Sequence, residues 1–401
     1  MTLYTDEVDA TTPDDPTPPE DGSATATDAG PPRARTAAAV VAGFTALAVG
    51  VTAFGGGLLD PPASTTDGDY AGETVEMMIP LAEGGGTDTW ARFVAAELTG
   101  AVPGQPGLAP VNDDGGEGIV GTNHFMTSAR PDGTEWLVST ASTVVPYLLE
   151  MDAVRYDFTE LRPILANGTG AVVYARTAAG VDGVADLVDR DRPLVFGGIA
   201  ATSLDLTTLL AFDLLGADVE STFGFEGRGP VNLALQRGEV DIDYQTTSSY
   251  GPAVQPLVDD GTAVPLFSLG QVDEDGEIVR DPNFPKVPTV VEVYEELNGE
   301  LPPADALETY TAILALTYTF QKALWVPEDT PDEALELVRD EAEQLSVDPS
   351  FEESAAEVLG GYPLDAAPDL PERIGAAYQV DAEVREDVLE LLERDYDITI
   401  D

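Results

Sequence analysis

From residue 73 onward the chain alternates short apolar runs with stretches whose apolar residues recur every three or four positions. That grammar implies βαβ units and a mainly parallel sheet. Residues 75–81 form the first strand candidate, closed by Glu83-Gly84-Gly85-Gly86-Thr87-Asp88. The helix that follows sets Ala91, Val94, Ala95 and Leu98 at i, i+3, i+4 and i+7 and stops at Gly100. A second unit runs from a short strand over 108–111, through Gly115-Gly116-Glu117-Gly118, into a helix over 119–128. Asp132-Gly133 then turns the chain into a strand over 135–139.

The same order restarts near residue 171: a strand over 171–174, a helix capped near Asp182, and a strand over 194–196 that ends in Gly197-Gly198-Ile199-Ala200-Ala201-Thr202-Ser203. The next helix carries Leu206, Leu209, Leu210 and Leu214 on one face and stops at Gly216. Phe225-Glu226-Gly227-Arg228-Gly229-Pro230 opens a further helix, with Pro230 in its first turn and Gly238 after its last, and a strand over 240–244 follows. The run 173–280 reads as a lobe of its own.

The pattern changes before residue 73. Residues 1–35 are rich in Asp, Glu, Thr and Pro, a composition that forms no packed core and predicts a disordered acidic tail. Residues 36–59 are apolar and uncharged, long enough as a helix to cross a bilayer of about 30 Å, and predict a signal anchor or signal peptide. Arg33 and Arg35 precede this stretch while acids follow it, so the tail is expected in the cytoplasm and the main body outside, membrane-anchored or secreted after cleavage near Ala53. Residues 60–72 read as a flexible linker.

Charge sharpens the picture. The 401 residues carry 74 Asp+Glu against 18 Lys+Arg, a formal net charge of -56, and Lys286 and Lys322 are the two lysines. Self-repulsion on this scale opposes compaction in dilute buffer, whereas at 1 M salt the screening length is only about 3 Å, so the composition predicts adaptation to high salt. The acids are spread along the chain, which fits a solvated surface and excludes a nucleic-acid partner. With no cysteine, disulfides, thiolate metal sites and a lipid-modified cysteine are excluded; a single histidine, His124, builds no multi-histidine metal site. No cofactor is expected.

Two glycine-rich loops sit where a strand ends and a helix begins, the place where free N–H groups and the helix dipole favour an anion. Gly84-Gly85-Gly86-Thr87 and residues 197–203 could therefore grip a carboxylate between them, with Thr87, Thr202 and Ser203 adding hydroxyl donors. The plainer alternative is that these glycines only make tight turns. Gly84-Gly85-Gly86-Thr87-Asp88 lacks the spacing of a nucleotide site. Arg228 is a candidate for a direct salt bridge to the ligand or, alternatively, a solvated charge on the rim. Asp88 reads as an acid complementing a helix dipole rather than a catalytic base, His124 as structural, and Asp241 with Asp243 as spare acids rather than a cation chelate. No nucleophile–base pair is visible, so no enzyme is expected.

Met78-Ile79-Pro80-Leu81-Ala82-Glu83-Gly84-Gly85-Gly86-Thr87-Asp88-Thr89-Trp90-Ala91-Arg92 resembles the opening motif of the substrate-binding proteins of tripartite tricarboxylate transporters. Gly115-Gly116-Glu117-Gly118-Ile119-Val120-Gly121-Thr122 and Arg130-Pro131-Asp132-Gly133-Thr134 are similar to two further motifs of that family, and the resemblance continues through residues 225–241 and Val287-Pro288-Thr289. It implies an α/β, two-lobed periplasmic-binding-protein fold of the type II-like kind with a ligand cleft between lobes, the first lobe being split into 73–172 and 281–401. By position it implies ligand contacts at Pro80, Leu81, Gly84, Gly85, Gly86, Thr87 and Asp88, at Thr140, Ser142 and Thr143, and at Gly198, Ala200, Thr202, Ser203 and Gly227. The implied function is capture of a small di- or tricarboxylate by a monomer that delivers it to membrane permease subunits. A ligand sensor on the same fold, or less readily an enzyme, are the alternatives. Glu226 and Arg228 depart from the family, which has a basic or small residue and a glycine there.

Overall fold

The computed structural model describes residues 70–188, 190–273 and 275–400. The expected tail and apolar segment, and the linker up to residue 69, lie outside the described residues. No helix among the described residues is long and apolar enough to cross a membrane.

Thirteen strands occur among these residues: β1 (Thr74–Ile79), β2 (Gly107–Asn112), β3 (Glu135–Thr140), β4 (Leu161–Asn167), β5 (Ala171–Arg176), β6 (Leu194–Gly197), β7 (Val219–Thr222), β8 (Ile242–Thr246), β9 (Ala263–Ser268), β10 (Gln271–Val272), β11 (Ile278–Val279), β12 (Lys322–Pro327) and β13 (Leu364–Asp365). They form a six-stranded sheet ordered β13-β4-β12-β3-β1-β2, a five-stranded sheet ordered β7-β6-β8-β5-β9, and the β10-β11 hairpin. Both larger sheets are mixed, which corrects the expectation of a mainly parallel sheet. In the first, β1 is parallel to β2 and β3, but β12 runs antiparallel to β3 and β4, as does β13 to β4. In the second, β6 is parallel to β7 and β8, while β5 is antiparallel to β8 and β9. A short βαβ crossover forces parallel neighbours. Strand β12, however, arrives only after the whole second sheet has been built, so no local connection sets its direction.

The helices used below are α1 (Gly86–Ala101), α2 (Ile119–Ser128), α3 (Ala141–Leu148), α4 (Asp205–Leu215) and α5 (Arg228–Arg237). In α1, Ala91, Val94, Ala95 and Leu98 are all fully buried, as their spacing requires. The helix expected near Asp182 is a single turn, Val184–Leu187, in which Leu187 alone is buried; a stretch with so little apolar surface has nothing to hold a longer helix.

One face of the first sheet packs Val75, Met77, Ile79, Trp136 and Val138 against α1 and the helices Asp332–Ser346 and Pro349–Leu359. The other face contributes Met78, Leu137 and Trp325 to a cluster that continues into the second sheet through Phe196, Ile242 and Tyr244. Helices Val290–Asn298 and Ala304–Leu314 pack on α4. The chain passes between the sheets at 168–170 and again through the π-helical turn Ala315–Thr319. These two crossings lie side by side: the Thr169 N–H donates to the Tyr318 carbonyl at 2.8 Å.

Candidate functional site

Because β1, β2 and β3 are parallel, their C-terminal ends share one edge of the first sheet; those of β6, β7 and β8 share one edge of the second. Both glycine loops lie on these edges.

At the first edge, α1 opens with the N–H groups of Gly86, Thr87 and Asp88, which meet no acceptor among the described residues. Gly84, at φ +78°, takes a left-handed turn that favours glycine and leaves the loop exposed. Asp88 is buried and organises this loop: its carboxylate accepts from the Gly84 N–H at 2.9 Å, Asn112 Nδ2 at 2.9 Å and Arg92 Nε at 2.8 Å. Burial alone would push the Asp88 carboxyl up, but the Gly84 amide, Asn112 and Arg92 together hold it below its usual range. Asn112 also donates to the Leu81 carbonyl at 2.9 Å. Pro80 is buried beneath the start of α2, where Gly118 is required: a Cβ there would meet Thr143 Cγ2 at 2.8 Å and the Pro80 carbonyl at 3.2 Å, at φ +103°.

Thr140 and Thr143 are spent on a capping box. The Thr140 side chain accepts from the Ser142 N–H at 3.1 Å, and the Thr143 hydroxyl accepts from the Thr140 N–H at 3.0 Å. Both are buried; Ser142 is half-buried and its hydroxyl is uncommitted.

The second edge is already occupied by an acid of the chain itself. Asp205, fully buried at the start of α4, accepts from the Ile199 N–H at 2.5 Å and the Ala200 N–H at 3.2 Å through one oxygen, and from the Tyr244 hydroxyl at 2.7 Å through the other. The Ser203 hydroxyl donates to the Ala200 carbonyl at 2.8 Å. Of this loop, Thr202 stays half-buried with a free hydroxyl. Gly198 packs against the Phe223 ring, which a Cβ would approach to 2.5 Å, and Gly227 caps α5.

Arg228 is neither a rim charge nor a free partner for a ligand, which corrects both sequence readings. Its guanidinium is buried, 3.0 Å from Asp243 and 3.4 Å from Asp205, donates to the Gly197 carbonyl at 3.1 Å, and lies 4.3 Å above the Tyr244 ring. Beside it, burial pushes the Asp243 carboxyl up to about 6, against the opposing pull of Arg228, Tyr174 and Gln245. A charged group in this interior survives only when paired, and Arg228 closes a circuit that Tyr174 and Asn232 extend. Asp241 is held by Arg176 and Arg192. No group of acids or histidines that could hold a metal occurs among the described residues. His124 is exposed, with Nδ1 3.2 Å from Asp113 Oδ2.

The Glu117 carboxyl, on the loop after β2, is raised by partial desolvation, although the residue is largely exposed, and by the Asp205 charge. Sequence reasoning passed over two residues here. One is Asp205 as the anchor of the second loop, for which an acid in a first helical turn just after a glycine loop was an available signal. The other is Lys322, opposite Thr140 on β12. A separate cavity of about 410 Å³, lined by Phe158, Trp325 and Tyr378, opens elsewhere on the first sheet.

Protein BugT of Bordetella pertussis is 26% identical over 253 residues, covering 61% of this chain and 72% of BugT. This likeness agrees with the resemblance of the sequence motifs to the solute-binding proteins of tripartite tricarboxylate transporters. No family model matches the chain. Solved structures share the fold of this chain. The periplasmic binding protein BugD superposes with a TM-score of 0.55 at 19% identity, over 82% of this chain and 99% of BugD. MatC from Rhodopseudomonas palustris with bound malate gives 0.54 at 21% identity, over 79% and 98%. An R. palustris protein with adipate gives 0.60 at 20% identity, over 80% and 98%.

Proposed function

We propose that this solute-binding protein captures a small organic carboxylate between the two loop-bearing edges, outside the cytoplasm, and delivers it to the membrane permease subunits of a tripartite tricarboxylate-type transporter. The observation that carries this reading is the first turn of α1, whose Gly86, Thr87 and Asp88 amides stand without acceptors beside an Asp88-braced loop. Ser142 and Thr202 supply further uncommitted hydroxyls on the two edges. Each charge-assisted hydrogen bond to a carboxylate contributes about 1.5–3 kcal/mol, so two or three such donors hold a small acid. The net charge of -56 does not repel it at molar salt, where only charges within about 3 Å act fully. Closure follows, because a ligand that touches both edges favours the state in which they are near. The malate and adipate in the two R. palustris structures point to the ligand class.

Isothermal titration in 2 M KCl against malate, adipate and citrate, with the corresponding amides as neutral controls, tests the proposal. At least one acid should bind and its amide should not, with no chemical change in the recovered ligand. Binding of none of the acids, or equal binding of acid and amide, overturns it.

A further inference from the structure

Lys322 is half-buried at the first residue of β12 and has no acidic partner among the described residues; its ammonium donates to the Gln321 side-chain carbonyl, a neutral group. In a chain with 74 acids, a cation enclosed by protein and left without one is a specific arrangement rather than an accident of composition. The register places Lys322 opposite Thr140 of β3 on one side and Asn167 of β4 on the other, and neither titrates. Because β12 runs against β3, its first residue lies at the same edge where β1, β2 and β3 end.

Strand alternation puts the Lys322 side chain on the face of Leu324 and Val326, which pack in the cluster holding Trp90 and Ala91 of α1. Asn167, beside Lys322, accepts from Trp90 Nε1 at 3.1 Å, one helical turn beyond Thr87. Thus an ammonium without an acidic partner and the unpaired first-turn amides of α1 occupy the same face at the same edge.

We propose that the Lys322 ammonium is the counter-ion of the ligand: it binds a carboxylate of the captured acid, together with the first turn of α1. This rests on the carboxylate-binding reading above and adds the residue that supplies the positive charge. A half-buried cation with a vacant acceptor position costs stability in the empty protein, and an incoming carboxylate relieves that cost, which a neutral ligand cannot do. Burial, with no charge acting on it, pushes the free ammonium down to about 8. Pairing with a carboxylate raises it, so ligand affinity is constant below pH 8 and falls above it as the free ammonium loses its proton.

The test uses the full chain in 2 M KCl and the tightest binder among malate, adipate and citrate. Lys322→Met keeps the length and apolar stem of the side chain and should weaken binding about ten- to a hundredfold, the loss of one charge-assisted contact. It should also abolish the fall in affinity between pH 8 and 9.5, while Lys322→Arg retains most of the affinity and shows no such fall. Circular dichroism and melting of both variants confirm folding, and the pH profile of the wild type gives a second readout that needs no variant. If the wild type binds an acid but Lys322→Met binds it equally and with the same pH profile, the inference is overturned and the carboxylate reading survives. If the wild type binds no acid at all, the functional reading itself has failed.

Discussion

Replacing Arg228 with Met exposes how the second loop is held. The wild-type guanidinium neutralises Asp243 at 3.0 Å and Asp205 at 3.4 Å, both fully buried, and stacks on Tyr244 at 4.3 Å. Methionine fills much of the volume but leaves two carboxylates without their cation, and breaking a buried pair from one side costs about 3–5 kcal/mol. For a chain of this size that lowers the melting temperature by about 2 °C per kcal/mol, or roughly 6–10 °C at pH 7.5. The penalty depends on pH in a defined direction. Asp243 already lies at about 6, above its unfolded value, so the stability it contributes is full at low pH and lost as pH rises through the folded value. Removing Arg228 takes away an influence that lowers it, so the carboxyl rises further and the penalty is smaller at pH 5, where Asp243 is largely protonated, than at pH 7.5. Urea unfolding in 2 M KCl at both pH values, followed by circular dichroism, measures this, and adding Asp243→Asn to Arg228→Met should recover part of the loss. A cost under 1 kcal/mol at pH 7.5, or the same cost at both pH values, refutes the pairing described for this cluster.

Asp88→Ala removes the acceptor that braces Gly84 and Asn112, and Thr87→Val removes a hydroxyl from the same turn; each should weaken malate or adipate binding roughly tenfold with the fold intact. Unchanged affinity in both variants by titration calorimetry contradicts the role given to that loop. The surplus of acids predicts that the melting temperature rises between 0.1 and 2 M KCl, and a flat or falling curve by differential scanning fluorimetry contradicts salt adaptation.

Much of the fold was legible because its signals are local. The apolar period of Ala91, Val94, Ala95 and Leu98 and the left-handed stops at Gly216 and Gly238 lie within one element each, and the helices stand where those signals put them. Strand direction was not legible. Nothing in Lys322 to Pro327 tells whether the strand joins β3 head-to-head or head-to-tail, since that depends on a connection crossing the second sheet. At the site, glycine spacing located both loops, but the amides a loop leaves free depend on which side chain folds back on it. Asp88 leaves the first turn of α1 open, whereas Asp205 fills the amides of Ile199 and Ala200. Arg228 was misread for a similar reason: its flanking glycines look like a surface loop, and its burial against Asp243 comes from a strand fifteen residues later.

Capture between the lobes requires one ligand to touch both edges at once. Hydrogen–deuterium exchange in 2 M KCl, with and without saturating malate or adipate, reads this directly from backbone amides. Slower exchange is predicted for peptides covering residues 84–88 and, in the same complex, for those covering 198–203. Protection at only one of these loops, or at the aromatic cavity around Phe158 and Trp325 instead, would contradict it.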